Sequence, residues 1–273
     1  MNIIFPELNN PIINSALALY NSLPDVAPIT PIPTTNLQSA CDALSSNAAA
    51  ALVAGIDYSS RDVILACRDH LGMATYSPFN KPDTTLTYKT FSGLAVMERQ
   101  TPSGNTETFL LADMAACKHP TKTQLLEIIH QTIISSQKIL SDTPRLALLS
   151  FSTLGSGGRD EIITTFNEIV AELRSSGRSD FLIDGELQLD AAINPTVAKK
   201  KAPHSPVAGR ANVLIAPDLN SGNLLYKSFE QLAGFTVAGP ILQGFNYPVS
   251  DLSRGSTIND VVLTLKTLVK LAS

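Results

Sequence analysis

The sequence lacks the features that would direct it to a membrane, to nucleic acid or to an oxidising compartment. No apolar run in its 273 residues could span a bilayer, and its start has no basic segment followed by an apolar one. Its 20 Lys and Arg residues are fewer than its 24 Asp and Glu residues, so no basic face is expected. Its three cysteines lack metal-ligand spacing and are typical of free thiols in a reducing cytosol. We expect a cytoplasmic protein without a nucleic-acid or membrane partner.

The sequence does contain a repeated alternation of short apolar runs and helical stripes. The strand-like runs are residues 3–5, 48–54, 109–113, 146–151 and 213–216. Alternation of this kind predicts an α/β fold with mainly parallel sheets. A hydrophobic fraction of 44% with 16% charged residues suits a sizeable core, in one large domain or two smaller ones. Polar segments punctuated by proline and glycine begin near Ala74 to Pro78, where we place a domain boundary.

A polar turn, Asp251 to Gly255, runs into a helix that the spacing of apolar residues predicts at the C-terminus. A helix N-terminus favours an anion, and Arg254 adds a planar cation suited to phosphate or carboxylate. The same pattern has a purely structural interpretation, because Ser256 or Thr257 is a good N-cap and Asp260 complements the helix dipole. Local pattern alone leaves both interpretations open.

Two further segments allow both a binding and a structural interpretation. The Gly-Ser loop from Ser152 to Gly158 follows a strand, but it matches neither the P-loop nor the dinucleotide fingerprint. The three carboxylates of Asp184, Glu186 and Asp190 lack calcium-loop spacing and a nearby histidine, so we expect no metal site.

Four stretches, taken with their order and spacing, resemble the phosphate acetyltransferase and phosphate butyryltransferase family. They are Asp184 to Gln188, Val207 to Ile215, Pro217 to Asn223, and Gly239 to Gly244 together with Asp251 to Gly255. The resemblance is strong from about Leu110 to the C-terminus and fainter across residues 54–72 and 5–7.

The resemblance implies an enzyme that converts acyl-CoA and phosphate reversibly into acyl phosphate and CoA. It further implies two α/β domains with mainly parallel sheets, an interdomain cleft that holds the site, a homodimer and no tightly bound cofactor. Residues 1–75 together with 247–273 would form the first domain, and residues 76–246 the inserted second domain. Coenzyme A and acyl phosphate would be the substrates.

By the same resemblance, three residues would act in catalysis. Asp260 would take the proton of the CoA thiol, Ser253 would hydrogen-bond the thiol or the developing oxyanion, and Arg254 would bind phosphate. A thiol with a pKa of about 8.5 is a poor proton donor to an aspartate of about 3.9, so burial or a nearby cation must help. The residues that we expect to contact substrate are Arg210, Asn212, Asn220, Ser221, Gln243 and Gly255. For Arg210 and Asn212 a structural role remains equally open.

Two departures from the family pattern concern positive charge. The chain is shortened between its first strand-helix unit and Ala48, where relatives carry an arginine-containing segment, and residues 25–47 contain neither arginine nor lysine. Leu65 stands where relatives place a substrate-binding arginine. Arg61 and Arg68 would lie about 40° and 60° from it around a helix, so neither is an equivalent replacement. The alternatives are therefore a non-catalytic protein that binds CoA or acyl-CoA, and a butyryltransferase-like enzyme of different acyl preference.

Overall fold

Strands and helices alternate along the chain as the apolar pattern predicts, in a computed structural model that describes residues 1–273. The strands are β1 (Asn2–Phe5), β2 (Thr30–Pro33), β3 (Ala51–Ala54), β4 (Thr75–Tyr76), β5 (Leu86–Thr87), β6 (Ser92–Gln100), β7 (Thr106–Ala112), β8 (Arg145–Leu149), β9 (Leu182–Leu187), β10 (Val213–Ile215), β11 (Thr236–Gln243) and β12 (Val249–Asp251). The helices are α1 (Pro11–Asn21), α2 (Leu37–Ser45), α3 (Ser60–His70), α4 (Lys122–Ile139), α5 (Glu161–Ser175), α6 (Leu189–Ile193), α7 (Pro195–Lys201), α8 (Leu219–Ala233) and α9 (Ile258–Ala272). None of these helices combines the length and the apolar character needed to cross a membrane.

Ten strands form one sheet in the order β2-β1-β3-β12-β11-β6-β7-β10-β8-β9, and β4 pairs with β5 in a separate ribbon. Six of the nine pairings in the large sheet are parallel, which confirms the predicted mainly parallel α/β class. The three antiparallel pairings lie together in the middle, at β12-β11, β11-β6 and β6-β7. The parallel strands on either side of them therefore run in opposite directions.

The two faces of the large sheet are covered by different helices, because successive side chains of a strand point to opposite faces. Ile3 and Phe5 of β1 enter a core cluster beneath α1, α4, α5 and α9, whereas Ile4 enters one beneath α2 and α3. On β11, Val237 joins a cluster beneath α8 while Leu242 joins the cluster beneath α2 and α3. These two helix groups therefore share one face, and a gap remains between them beside Pro240.

The structure differs from the sequence interpretation at Gly239 to Gly244. The flanking glycines and Pro240 suggest a short apolar stub between breakers, but most of the segment belongs to the eight-residue strand β11. The register against β6 shifts between Ala238 and Ile241, so Pro240 sits in an irregularity of the ladder. Proline has no N–H to donate to a neighbouring strand. It is tolerated at such irregularities because a residue there does not need to donate a ladder hydrogen bond.

The predicted division into two domains is crossed by the large sheet. Strand β12 from the C-terminal segment pairs with β3 on one side and with β11 of the inserted segment on the other. Helix α9 likewise contacts both α1 and β11. The division into residues 1–75 with 247–273, and 76–246, stays a prediction.

Candidate active site

A crevice of about 350 Å³ lies on the shared sheet face, between the start of α3 and helix α8. Gly55, Tyr58 and Ser60 line one side, from the loop after β3. The other side is formed after β7 and on α8, by Met114, Ala115, Asn223 and Tyr226. Leu252, Ser253 and Arg254 line it from the turn after β12, and Pro240 lines it from β11. Because β3 and β12 both end here, the crevice has the position in which open α/β sheets bind ligands.

Two other depressions, of about 890 and 480 Å³, lie elsewhere on the molecule. The first lies beyond the carboxyl ends of β7, β8 and β10, and the second is lined by aromatic side chains such as Tyr76 and Tyr88. We place the candidate active site in the smaller crevice, because it contains Ser253 and Arg254.

The turn after β12 is anchored to the neighbouring strand and presents an unpaired cation. The Leu252 N–H donates to the Ala54 carbonyl oxygen (2.6 Å), and the Ser256 N–H donates to the Ser253 carbonyl oxygen (2.9 Å). Arg254 is exposed and forms no ion pair or side-chain hydrogen bond. Its guanidinium is therefore available to an anion that enters the crevice.

Ser253 contacts a cation that sequence reasoning missed. Lys227 Nζ lies 3.4 Å from Ser253 Oγ, and the Gly255 N–H donates to the same oxygen at 3.3 Å. Partial burial opposes the charge of Lys227, but hydrogen bonds with Tyr226 and Glu230 outweigh it and raise its pKa. Lys227 therefore stays protonated beside the serine. The spacing of Asn223, Tyr226 and Lys227 places them on one helix face, which is the signal that sequence analysis could have used.

Asp260 is buried and occupied by hydrogen bonds. The Thr257 N–H and hydroxyl donate to its Oδ2 (2.8 and 2.7 Å), and the Val237 N–H donates to its Oδ1 (2.9 Å). The Asp260 N–H donates back to Thr257 Oγ1, which completes a capping box at the start of α9. The capping role is confirmed. The residue does not line the crevice, and its catalytic role stays a prediction.

Arg210 and Asn212 lie near the amino ends of β8 and β10, away from the crevice. The Arg210 guanidinium donates to the Pro206 carbonyl oxygen (3.1 and 2.9 Å). The Asn212 side chain accepts from the Arg145 N–H (2.7 Å) and donates to the Thr143 carbonyl oxygen (3.2 Å). Both side chains therefore have structural partners, and their contact with substrate stays a prediction.

The remaining predicted binding residues are dispersed. Asn220 is exposed in the first turn of α8, and Ser221 lines the 890 Å³ depression. Gln243 lines the 480 Å³ depression, where its Nε2 donates to Thr132 Oγ1 (3.4 Å). Of this group, Gly255 is the residue that contacts Ser253.

Other exposed cations of the chain do not replace the missing family arginines in the crevice. Arg61, Arg68 and Lys118 are exposed and do not line it, and Arg68 pairs with Asp69. Leu65 is half-buried on α3. The structure also contains no group of three or more His, Cys, Asp or Glu side chains that could hold a metal ion.

Comparison with known proteins agrees with this architecture. Residues 32–267 match the family described as phosphate acetyl/butaryl transferase. The chain belongs to this family. It is 40% identical over 229 residues to phosphate acetyltransferase of Treponema pallidum (strain Nichols), a match that covers 83% of this chain and 65% of that protein.

Two further relatives support membership in the phosphate acetyl/butaryl transferase family. Phosphate acetyltransferase of Thermoanaerobacterium thermosaccharolyticum is 46% identical over 166 residues, which cover 60% of this chain and 49% of that protein. The solved structure of a phosphotransacetylase from Streptococcus pyogenes has a TM-score of 0.78 at 28% identity, with 100% of this chain and 94% of that chain covered. The matches thus span 65% and 49% of the lengths of these two curated relatives.

Two acids behind the crevice of this family member differ in their surroundings. The Glu7 carboxylate accepts the N–H groups of the four residues from Gly55 to Tyr58, at 2.6 to 3.3 Å. Asp251, at the end of β12, is fully buried, yet neither of its carboxylate oxygens has a hydrogen-bond partner. Burial raises the pKa of Asp251 to about 6; the nearby Ser60 hydroxyl lowers it and the Glu7 charge raises it further.

We expect Asp260→Ala to lower the free energy of unfolding by about 3 kcal/mol, because buried donors of Val237 and Thr257 lose their acceptor. Urea unfolding measures this change. The matched control is Asn259→Ala, an exposed neighbour in the same helical turn, for which a change below about 0.5 kcal/mol is expected. A loss below about 1 kcal/mol for Asp260→Ala would contradict the capping analysis.

We expect Asp251→Asn to raise the free energy of unfolding at pH 8 by about 2 to 3 kcal/mol, because it removes an unpaired buried charge. Because its pKa is raised, the acid form of Asp251 is favoured in the folded protein. The free energy of unfolding of the wild type therefore falls as the pH rises through about 6. The gain should therefore disappear near pH 4. Urea unfolding at both pH values tests it, with the exposed Asp57→Asn as control. A gain that is equal at both pH values would be inconsistent with this account.

Proposed function

We propose that this chain is a phosphate acyltransferase that interconverts acyl-CoA and orthophosphate with acyl phosphate and CoA. Family membership over residues 32–267 carries the proposal. It is supported by the crevice, which brings Ser253 and Arg254 together at the ends of two parallel strands. Coenzyme A and acyl phosphate are the proposed substrates, and no tightly bound cofactor is required for this chemistry.

Positive charge near Ser253 favours both reacting groups, the phosphate group and the thiolate of CoA. The unpaired guanidinium of Arg254 can hold the phosphoryl oxygens in a bidentate manner. Lys227 supplies a second cation next to Ser253. A nearby cation lowers the pKa of a thiol and favours the thiolate, which is the attacking form. Lys227 also pairs with Glu230 (3.1 Å), so Arg254 is the unpaired cation that offsets part of the charge that the absence of an arginine at Leu65 removes.

The Ser253 hydroxyl is available to donate to a substrate, because its oxygen already accepts from two groups. Its Oγ faces two donors, Lys227 Nζ and the Gly255 N–H, so its own proton is directed elsewhere. A hydroxyl that donates into the crevice can stabilise the oxyanion that forms at the acyl carbon during transfer. Asp260 remains the proposed proton acceptor by family resemblance, although its two oxygens already accept three hydrogen bonds.

The test is formation of acetyl-CoA from acetyl phosphate and CoA, followed by thioester absorbance. We expect Arg254→Gln to reduce kcat/KM for acetyl phosphate by about 100-fold, since a charged hydrogen bond contributes about 1.5 to 3 kcal/mol. Its stability should be unchanged, because the side chain has no partner to lose. Absence of wild-type turnover above the rate without protein would reject the proposed activity, and an Arg254→Gln rate equal to that of wild type would remove Arg254 from the proposed site.

Lys227→Gln provides a second arm of the same assay. We expect kcat to fall about tenfold or more, because Ser253 loses its charged partner. Lys118→Gln is the matched control: that lysine is exposed outside the crevice, and its rate should equal wild type. Equal rates for all three proteins would remove Lys227 from the proposed site.

A second candidate function is CoA or acyl-CoA binding without turnover, which the uncharged Leu65 favours. Calorimetric binding of CoA together with absent turnover would select it. Comparison of acetyl phosphate with butyryl phosphate in the assay would distinguish an acetyltransferase from a butyryltransferase-like enzyme.

The homodimer implied by the resemblance is part of the proposal. Light scattering of the purified chain should give twice the chain mass of 29.1 kDa, and a monomeric mass would contradict it. The cytoplasmic location stays a prediction.

A further inference from the structure

The 480 Å³ depression lies at the carboxyl end of β11 and shares no residue with the crevice. One face of α4 lines it, together with residues from the segments 74–79 and 244–248 and Leu271 of α9. Its volume is typical of small-molecule sites in proteins, which measure about 300 to 1,000 Å³. The proposed acyl transfer makes no use of this depression.

Aromatic rings held in fixed positions form much of its lining. The rings of Tyr76 and Tyr88 stack with their centroids 4.1 Å apart, and those of Phe79 and His130 stack at 4.2 Å. His130 Nε2 lies 3.1 Å from the Ser77 carbonyl oxygen, which can only accept, so in the neutral ring Nδ1 accepts from the Tyr88 hydroxyl (2.6 Å). Burial lowers the pKa of His130 to about 4, so the ring is neutral at pH 7. Rings that are already ordered favour a flat apolar ligand, because little side-chain freedom is lost when it binds.

The charge of the lining has a single sign. Lys138 and Arg178 line the depression and no Asp or Glu does, in a chain whose formal net charge is -4. Lys138 Nζ donates to the Leu271 carbonyl oxygen (2.8 Å) and forms no ion pair. Arg178 pairs with Asp180 and lies 4.5 Å from the centroid of the Phe79 ring. One unpaired cation beside aromatic rings suits a ligand with one negative charge better than a polyphosphate.

Gln243 supplies an unmet hydrogen-bond acceptor at the same depression. It is 5% exposed, its Nε2 donates to Thr132 Oγ1 (3.4 Å), and its Oε1 is buried without a partner. Thr132 cannot donate to that oxygen, because its hydroxyl donates to the Ile128 carbonyl oxygen (2.7 Å). Buried side-chain oxygens are seldom left unpaired, so a donor group on a ligand would supply what the chain itself does not.

We propose that the 480 Å³ depression binds a small aromatic carboxylate that also carries a hydrogen-bond donor. The ring packs among the aromatic side chains, the carboxylate pairs with Lys138, and the donor meets Gln243 Oε1. Because that oxygen is covered, the Gln243 amide turns toward the depression when the ligand binds. Thr132 and Lys138 are about 9 Å apart along the axis of α4, a span that one benzene ring with groups at opposite ends can bridge. The inference goes beyond the proposed acyl transfer and does not rest on it.

The probe is 4-aminobenzoate, which carries the ring, the carboxylate and the donor. Isothermal titration calorimetry of the whole chain near neutral pH should give one site per chain, with a Kd below about 1 mM. The uncharged 4-aminobenzamide should bind at least about tenfold more weakly, because it cannot pair with Lys138. Benzoate, which lacks the donor, should bind about threefold or more weakly, because Gln243 Oε1 stays unpaired.

Three variants assign the binding to this depression. Lys138→Gln should weaken 4-aminobenzoate at least about tenfold, whereas Lys199→Gln, at an exposed lysine of α7, should match wild type. Ile134→Trp should abolish binding, because this exposed side chain lines the depression and a larger one fills it. Gln243→Met should remove the difference between 4-aminobenzoate and benzoate. If the buried Gln243→Met does not fold, the two surface variants still decide.

Each outcome bears on the inference alone. Saturable binding that requires both the ligand carboxylate and Lys138 supports it. No binding up to about 10 mM, equal Kd values for 4-aminobenzoate and 4-aminobenzamide, or an unchanged Kd in Lys138→Gln overturns it. Competition by CoA in both wild type and Ile134→Trp would place the probe in the crevice and would also overturn it. The rate of acetyl-CoA formation is measured separately, so a failure of the proposed acyl transfer is recognised by its own assay.

Discussion

The carboxylate of Glu7 holds in place the loop on which the crevice depends. It accepts four consecutive backbone N–H groups, from Gly55 to Tyr58, directly after β3. Without this acceptor several N–H groups of the loop would be buried and unpaired, at a cost of about 1 to 3 kcal/mol each. One side chain at the end of the first strand therefore sets the wall of a site whose other members lie about 50 to 250 residues away in sequence.

The three buried acids around this site illustrate how the surroundings of a carboxylate decide its use. Glu7 and Asp260 are saturated with donors and stabilise a loop and a helix start. Asp251 lacks donors, and burial raises its pKa to about 6. The same functional group thus supports the architecture at two positions and is left without a hydrogen-bond partner at the third.

The junction of the sheet creates the space in which these groups meet. Three antiparallel pairings in the middle reverse the direction of the parallel strands, and helices cover the shared face on either side of Pro240. The resemblance predicts a cleft between two domains; the observed crevice is lined from both predicted segments while one sheet passes through them. One continuous sheet connects the two walls of the crevice through backbone hydrogen bonds. The distance between the walls therefore depends on β11 and β12.

Much of the fold could be predicted because it depends on neighbouring residues. Apolar periodicity predicted the strands β3, β8 and β10 close to their observed bounds. Thr121 and Thr257 cap their helices as their side chains suggest, since capping involves residues only three positions apart. At Gly239 to Gly244 the glycines and Pro240 suggest strand breakers, but the segment lies mostly in β11, because pairing with a distant strand and not the local pattern decides its conformation.

The candidate site could be predicted only in part. Ser253, Arg254 and Gly255 lie together because they are adjacent in sequence, whereas Gln243, Ser221 and Arg210 lie in other parts of the molecule. Lys227 reaches Ser253 through the packing of α8, and Asp251 becomes buried through the approach of Gly55.

The sequence by itself determined the α/β class, the helix caps and the family, because these are carried by local spacing and by the order of motifs. Only the tertiary structure decided which charges face the crevice and which acid is left without a partner. Such properties depend on contacts between distant segments, and a pattern of neighbouring residues does not contain them.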